Sequence, residues 1–407
     1  MVVYLDHAAT TALRPEARDA WLSAHETLGN ASSVHGAGQA ARRLLEDARD
    51  AVASALGCEP IEVVFTSGGT EAINLAVKGL WLAADADADA DADAGADASA
   101  TGPIVLPDGE HHATIDAVAW LASRWGAAVR PVGLDSVGRI DPALFAGALP
   151  GAALATALVA NNEVGTRNDA PALARAARDA GVPLHLDAVA ALGTVALDFA
   201  AWRDGGATPD GLVAMSVSGH KVGAPVGTGA LVVSRHAHLT PLAHGGGQQR
   251  GLRAGTQDVA GAAAFAAALD IAEAERAHEA VRVERLRGRL IEGIRSLVPS
   301  AVILGDLRDR LPGNVHVLFP GTIGETLLFL FDTVGIAVST GSACQAGVTE
   351  PSHVVLALGR DADDARAVLR LTLGRTSTDA DVDAFLAALP EVHRRAVAAR
   401  AGRAART

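Results

Sequence analysis

The chain has 407 residues, which is enough for two or three domains and a large hydrophobic core. Hydrophobic residues make up 49% of the sequence and aromatic residues only 3%, so we expect a core of Ala, Val and Leu. The formal net charge of −13 argues against a nucleic-acid or anionic-membrane surface, and no apolar stretch approaches the length of a membrane span.

The chain begins MVVYLDHAATT, without the basic start and apolar run of a signal peptide. Its two cysteines, Cys58 and Cys344, lie far apart and cannot build a disulfide framework. These features predict a cytoplasmic protein in a reducing environment.

Short apolar runs alternate with helical patterns along the first 256 residues. Apolar residues recur at helical spacing in 39–56, and similar patterns follow at 70–84, 112–125 and 170–181. Strands alternating with helices predict an α/β domain around a mainly parallel sheet. The predicted strands are 61–67, 103–107, 153–160, 183–188, 212–217 and 229–234.

An insertion of alternating Asp and Ala interrupts this pattern at residues 84–102. It contains no large apolar side chain, so it cannot bury enough surface to offset the entropy of ordering. We expect a disordered, solvated acidic loop. A metal-binding tract is the less favoured alternative, and no metal ligands are predicted elsewhere.

The pattern changes after Thr256, where an Ala- and Glu-rich helical run covers 256–296. The strand-like segments NVHVLF and VLRLTLG follow, which indicates a second, smaller α+β unit. We therefore predict a large α/β domain over 14–270. Residues 1–13 and 271–407 form the small domain, which carries the loop around Cys344.

Three motifs indicate residues that can bind a ligand or react with it. In FTSGGTEAINLAVKG (65–79) a strand leads through Gly69 and Thr70 into a helix, which suits a phosphate cradle. Taken alone, such a turn is more often only a helix cap. Asp187 ends an apolar strand, where a carboxylate pairs with a ligand cation or caps a turn. Lys221 lies between a strand and a Gly-rich turn, a place suited to a Schiff-base lysine rather than to a solvated one.

Together, the cradle, the strand-end Asp and the strand-end Lys meet the requirements of pyridoxal 5′-phosphate. Lys221 would form the imine, and Asp187 would keep the ring nitrogen protonated. His111, in GEHHATID, could stack on the ring, although a histidine at a helix start is equally common without a ligand.

Cys344 lies in STGSACQAG, a segment of small residues that reads as a mobile loop. A structural cysteine is usually buried among apolar neighbours, so this one is predicted to be a nucleophile. Cys58, at a helix end, is predicted to be structural.

The order of these motifs resembles the cysteine desulfurases of the NifS/IscS type, in the class V, fold-type I pyridoxal-phosphate family. The resemblance covers nearly the whole chain outside the acidic insertion. It rests on YLDHAATT, GNASSVHGAG, FTSGGTEAINLA, EHHA, NNEVGT, HLDA, SGHK, RGLRAGT, STGSAC and LRLTLG.

The resemblance implies further roles. Arg370 binds the substrate carboxylate, and Asn162 lies near the ring and the substrate. The phosphate is bound by Thr70, Ser218 and His220, and by Thr256 of the second subunit of a homodimer. Cys344 takes sulfur from L-cysteine as a persulfide, leaves L-alanine, and passes the sulfur to an iron–sulfur scaffold or a thiolation enzyme.

One residue departs from the family pattern: Ala190 stands where the family usually has a Gln that donates to the ring oxygen. Two other functions remain open, of which only the second is motivated by Ala190. One is a selenocysteine lyase or another class V lyase, which shares the lysine site. The other is a weakly active scaffold for sulfur-transfer partners.

Overall fold

The computed structural model describes residues 2–93, 101–204, 206, 208–341, 344–345 and 348–404. Many of its helices begin at an Asp, Ser or His side chain that accepts a backbone N–H of the first turn, as N-caps do. The helices are α1 Pro15–His25, α2 Gly36–Leu56, α3 Gly69–Asp93, α4 His112–Trp125, α5 Pro142–Ala148, α6 Ala170–Asp179, α7 Phe199–Arg203, α8 Val259–Leu297, α9 Gly324–Asp332, α10 His353–Ala357, α11 Ala362–Arg366 and α12 Asp379–Ala404.

The strands are mostly short and buried. They are β1 Val3–Tyr4, β2 Val63–Thr66, β3 Ile104–Pro107, β4 Val129–Val132, β5 Leu154–Leu158, β6 Pro183–Asp187, β7 Gly211–Ser218, β8 Gly229–Val233, β9 Val302–Leu304, β10 Asn314–Leu318, β11 Ile336–Ala337, β12 Cys344–Gln345, β13 Val348–Thr349 and β14 Val368–Thr372.

A seven-stranded sheet with the order β2-β8-β7-β6-β5-β3-β4 forms the centre of the large unit. Strand β8 is antiparallel to both of its neighbours, and the remaining pairs are parallel. The predicted mainly parallel sheet is therefore confirmed. Strand β4 was not predicted, because its sequence VRPV is half exposed and contains a proline.

The register of three central strands determines where the predicted site residues lie. Leu158 at the end of β5 lies opposite Asp187 at the end of β6, and Asp187 lies opposite Ser216 of β7. Two residues beyond Ser216, β7 ends at Ser218 and a 3-10 turn over Gly219–Lys221 follows. Parallel strands thus deliver the carboxylate and the lysine to one edge of the sheet.

The small unit has its own apolar core around the three-stranded sheet β14-β10-β9. Leu5 and the second half of α8, from Val283 to Ile294, pack into this core together with α12. The first half of α8, from Ala262 to Ala272, packs into the core of the large unit. The predicted boundary at residue 270 thus falls inside one continuous 39-residue helix, and we keep the division as a proposal.

The expectation of disorder across 84–102 is wrong for its first part, since α3 continues to Asp93. Alanine is the strongest helix former, and the apolar turns of α3 before the tract already supply the nucleus, so extending the helix costs little. The expectation for residues 94–100 lies outside the described residues.

Deleting residues 85–97 should leave fold and cofactor content unchanged. The Thr101 hydroxyl donates a hydrogen bond to the Asp85 carboxylate, so the two ends of the insertion lie close together and a short turn can join them. We expect the melting temperature to change by less than about 4 °C. A deleted protein that fails to fold would show that the insertion stabilises the sheet.

Candidate active site

One cavity of about 540 Å³ lies at the carboxyl edge of the large sheet, between the two units. Most of the residues predicted from the sequence to form the site line it. These are Gly69, Thr70, His111, Asn162, Asp187, Ser218, His220, Lys221 and Arg370.

One predicted residue stands apart from that lining: Thr256 is exposed and does not line the cavity within one chain. The backbone of Cys344 forms a two-residue antiparallel pair with Val348–Thr349, in place of the unbroken loop that was predicted. Residues 342, 343, 346 and 347 lie outside the described residues.

Asp187 is 2% exposed, and its Oδ1 accepts the backbone N–H of Val189 at 2.9 Å. Burial raises its pKa to about 6, while the Val189 amide and the positive charge of Lys221 act in the opposite direction. A buried carboxylate with a free lone pair toward a cavity is suited to a ligand cation, which would lower its pKa again.

Lys221 is half-buried against the N-terminal segment of the chain. Its Nζ donates to the carbonyl oxygen of Ala8 and, at 3.1 Å, to that of Ala9. Burial, followed by the positive charge of Arg370, lowers the pKa of Lys221 to about 8, against the opposing charges of Asp6 and Asp187. A substantial neutral fraction near neutral pH makes this amine a nucleophile and a base.

Lysine is rare in this protein, because its basic residues are almost all arginines. The sequence contains only Lys78 and Lys221. Lys78 lies over the ring of Trp120, 4.5 Å from its centroid, and does not line the cavity. Lys221 is therefore the only lysine of the sequence that can react with a ligand in this cavity.

The start of α3 is the turn at which the sequence predicts a phosphate cradle. Gly68 has a φ of +146°, and a Cβ at Gly69 would lie 2.6 Å from a methyl carbon of Val189, so neither position accepts a side chain without rearrangement. Glu71 accepts the Ser67 N–H at 2.6 Å and pairs with Arg253 at 2.8 Å. This carboxylate fixes the turn and ties it to the segment that carries Thr256.

His111 is the N-cap of α4, and its Nδ1 accepts the Ala113 N–H at 3.1 Å. The bond leaves the proton of the neutral ring on Nε2. Burial, followed by the positive charge of Lys221, lowers the pKa of His111 to about 4. The ring is thus neutral at physiological pH and has a defined orientation beside the cavity.

Arg370 is 7% exposed and joins three segments. Its guanidinium donates to the Asp6 carboxylate and to the Asn162 carbonyl oxygen, each at 3.1 Å, and its backbone pairs with Ser339. Its Nε and the Oδ1 of Asn162 are buried, and neither has a partner among the described residues. Both side chains can therefore receive polar groups of a ligand.

Two residues at or beside the cavity were not singled out by the sequence. Glu110 is 1% exposed, with one carboxyl oxygen accepting the Leu158 N–H at 2.8 Å. Burial and the nearby Asp187 raise its pKa well above the usual range. His353 lines the cavity, and its Nε2 lies 2.9 Å from the Glu110 carbonyl oxygen. EHHA was a signal for Glu110, but no local pattern pointed to His353.

Ala190 lines the cavity, so the amide expected at this position is replaced by a methyl group.

Within the described ranges, no group of three or more His, Cys, Asp or Glu side chains could hold a metal ion. No helix in this part of the chain is long and apolar enough to cross a membrane.

The fold and the cavity define a class, the α/β proteins of fold type I, with a cavity at the carboxyl edge of the large sheet. A family model described as aminotransferase class V matches residues 3–385. The chain therefore belongs to the class V aminotransferase family.

Relatives within the family cover nearly the whole chain. An IscS-like cysteine desulfurase of Mycobacterium tuberculosis is 44% identical over 98% of this chain and 99% of its own length. A solved NifS-like protein superposes with a TM-score of 0.85 at 31% identity, covering 97% of this chain and 100% of its own. A solved structure of SspA in complex with cysteine has a TM-score of 0.74 at 26% identity, over 92% and 99% of the two chains.

The reactivity of Lys221 should follow its lowered pKa. In cofactor-free protein, acetylation by acetic anhydride requires the neutral amine, so the rate at Lys221 should rise with a midpoint near pH 8. Peptide mass spectrometry distinguishes Lys221 from Lys78, whose pKa burial also lowers. A rate at Lys221 that rises only above about pH 10, as for a solvated lysine, would contradict the assigned environment.

Proposed function

We propose that this protein is a pyridoxal-phosphate-dependent cysteine desulfurase, which converts L-cysteine to L-alanine and takes the sulfur onto Cys344. One observation carries the proposal: the same cavity is lined by Lys221, by Asp187, and by Arg370 with its backbone partner Ser339 at the start of the Cys344 segment. The names of the relatives, cysteine desulfurase and IscS-like cysteine desulfurase, support it.

The residues present fit the cofactor. The glycine cradle at Gly68 and Gly69 leaves room for phosphate oxygens, with Thr70, Ser218 and His220 beside it. Asp187 would take the ring nitrogen, and Lys221 would hold the aldehyde carbon. When bound, pyridoxal phosphate supplies an electron sink for charge at the substrate's α-carbon.

Three side chains of the site have separate roles in the proposed reaction. Arg370 binds the substrate carboxylate with donors that the protein only partly uses. Lys221, whose pKa of about 8 leaves part of the amine neutral, removes the proton at the α-carbon. His111 presents its Nε2–H from a fixed ring, where it can donate a hydrogen bond to the substrate.

Cys344 then attacks the substrate sulfur as a thiolate. The new S–S bond forms as the C–S bond of the substrate breaks, and the electron pair of the broken bond stays with the substrate carbon. Protonation of that carbon yields alanine. The overall balance is one protein thiol and one L-cysteine converted to one protein persulfide and one L-alanine, with no external oxidant.

The acceptor of the persulfide sulfur is proposed to be a protein, either an iron–sulfur scaffold or a thiolation enzyme. The names of the IscS relatives support this role. We also propose a cytoplasmic homodimer in which Thr256 reaches the phosphate of the second subunit, since Thr256 is exposed and outside the cavity of its own chain.

Substitution of Cys344 should separate substrate binding from sulfur transfer. Cys344→Ala protein should bind pyridoxal phosphate and give an absorbance change with cysteine, because Lys221 and Arg370 are intact. It should release no alanine or sulfide above roughly 1% of the normal rate, since no thiol accepts the sulfur. Mass spectrometry of the normal protein, treated with cysteine without reductant, should find one added sulfur on the Cys344 peptide.

Cys58→Ala is the matched control. Burial, with a smaller effect of Glu62, raises the pKa of Cys58 to about 12, so this thiol is unreactive at neutral pH. The control should keep normal activity. Normal turnover of cysteine by Cys344→Ala would show a lyase that needs no persulfide, and activity limited to selenocysteine would favour a selenocysteine lyase.

Subunit mixing tests the proposed dimer. Lys221→Ala lacks the reactive amine and Thr256→Ala lacks the contact to the phosphate of the second subunit, so each should be strongly impaired alone. A mixed dimer contains one site with both residues intact, so exchange should restore up to roughly one quarter of the normal activity. Native mass spectrometry measures the exchange. Mixed dimers without recovered activity would show that each chain completes its own site.

A further inference from the structure

A buried carboxylate that the proposed chemistry leaves unused lies beside the cavity. Glu163 is 2% exposed and has no Lys, Arg or His within ion-pair distance among the described residues. Its Oε2 accepts the hydroxyl proton of Ser352 at an Oγ–Oε2 distance of 2.5 Å. Ser352 is fully buried and is also the N-cap of α10, where its Oγ accepts the Val355 N–H at 3.1 Å.

The same carboxylate lies at the other end of the Cys344 segment. Gly341 has a φ of +86°, and a Cβ on this residue would lie 3.3 Å from Glu163 Oε2 and 3.2 Å from His316 Cε1. Gly341, near the start of the Cys344 segment, and Ser352, which follows the segment, therefore both lie close to one side chain. Burial, followed by Arg370, lowers the pKa of His316 to about 3, so no imidazolium neutralises the carboxylate.

The backbone of Glu163 is held on both sides by amide side chains. Its N–H donates to Asn161 Oδ1 at 2.9 Å, and its carbonyl oxygen accepts from Asn314 Nδ2 at 2.9 Å. Asn314 is fixed in turn by the buried Arg310, which donates to its Oδ1 at 3.0 Å. The support is rigid, since every one of these groups is buried.

The residue before Glu163 connects this network to the proposed substrate site. The carbonyl oxygen of Asn162 accepts a bond from Arg370, and the Arg370 backbone pairs with Ser339, two residues before Gly341. The proposed carboxylate-binding arginine and both ends of the Cys344 segment are thus fixed to the consecutive residues Asn162 and Glu163.

We propose that Glu163 is a positioning residue for sulfur transfer: through Ser352 it holds the chain that follows the Cys344 segment at a fixed distance from the Arg370 site, where Ser339, at the start of that segment, pairs with Arg370. The proposal rests on the proposed function. It assigns Glu163 and Ser352 to the step in which the Cys344 thiolate reaches the substrate sulfur, and not to cofactor or substrate binding.

Ser352→Ala removes the donor with little change in volume. In single-turnover experiments with cysteine, we expect the absorbance change of substrate binding to keep its rate within about twofold. Formation of the Cys344 persulfide, measured by quenched mass spectrometry, should slow roughly tenfold or more, as loss of a hydrogen bond to a charged group would cause. In steady state kcat should fall while KM changes little.

Two further variants separate this effect from loss of a helix cap. Asp361→Ala removes the N-cap of α11, where Asp361 accepts the Asp364 N–H at 2.8 Å, and it has no bond to Glu163. This control should leave persulfide formation unchanged. Glu163→Gln keeps the volume and weakens the bond, so it should slow the same step, and combining it with Ser352→Ala should add little further loss.

The proposal fails if Ser352→Ala and Glu163→Gln slow substrate binding as much as persulfide formation, if neither slows the transfer, or if their losses multiply. If Ser352→Ala does not fold, Glu163→Gln alone decides between these results. Absence of a Cys344 persulfide in the unsubstituted protein is a different result, because it refutes the proposed function itself.

Discussion

The hydrogen bonds from the Lys221 ammonium group to the N-terminal segment are the interaction on which the site depends. Ala8 and Ala9 supply the accepting carbonyl oxygens, and Asp6 in the same segment pairs with Arg370. Because backbone carbonyls carry no full charge, they hold the amine without stabilising its charged form as a carboxylate would, and burial lowers its pKa. The first residues of the chain thus fix the position of a lysine more than 200 positions later.

Those same few residues hold the two units together at the cavity. The N-terminal segment crosses from the sheet of the small unit, where Asp6 bridges to Thr372, to the turn after β7, where Thr11 donates to the His220 carbonyl oxygen at 2.9 Å. The helix α8 joins the units on the other side. A site assembled between two cores in this way can bind a ligand with groups from each.

Much of this arrangement could be predicted from the sequence, because its signals are local. Buried strands are short apolar runs, and Asp187 and Lys221 each follow one, so the edge of the sheet where they meet follows from the parallel topology. The network around Glu163 could not be predicted, since it joins residues 163, 314 and 352 through contacts that no local pattern encodes. The helical start of the Asp/Ala tract was not predicted, because its composition favours disorder and the preceding helix, which extends into it, was not taken into account.

The central claim is that Cys344 and the cavity act as one unit that turns over once before it needs a sulfur acceptor. The most direct measurement is the amount of alanine formed per chain when the holoenzyme meets excess cysteine without any reductant. We expect a rapid burst of about one alanine per chain and then a near stop, because the persulfide blocks the nucleophile. Alanine that accumulates steadily without a burst, or pyruvate in its place, would contradict it.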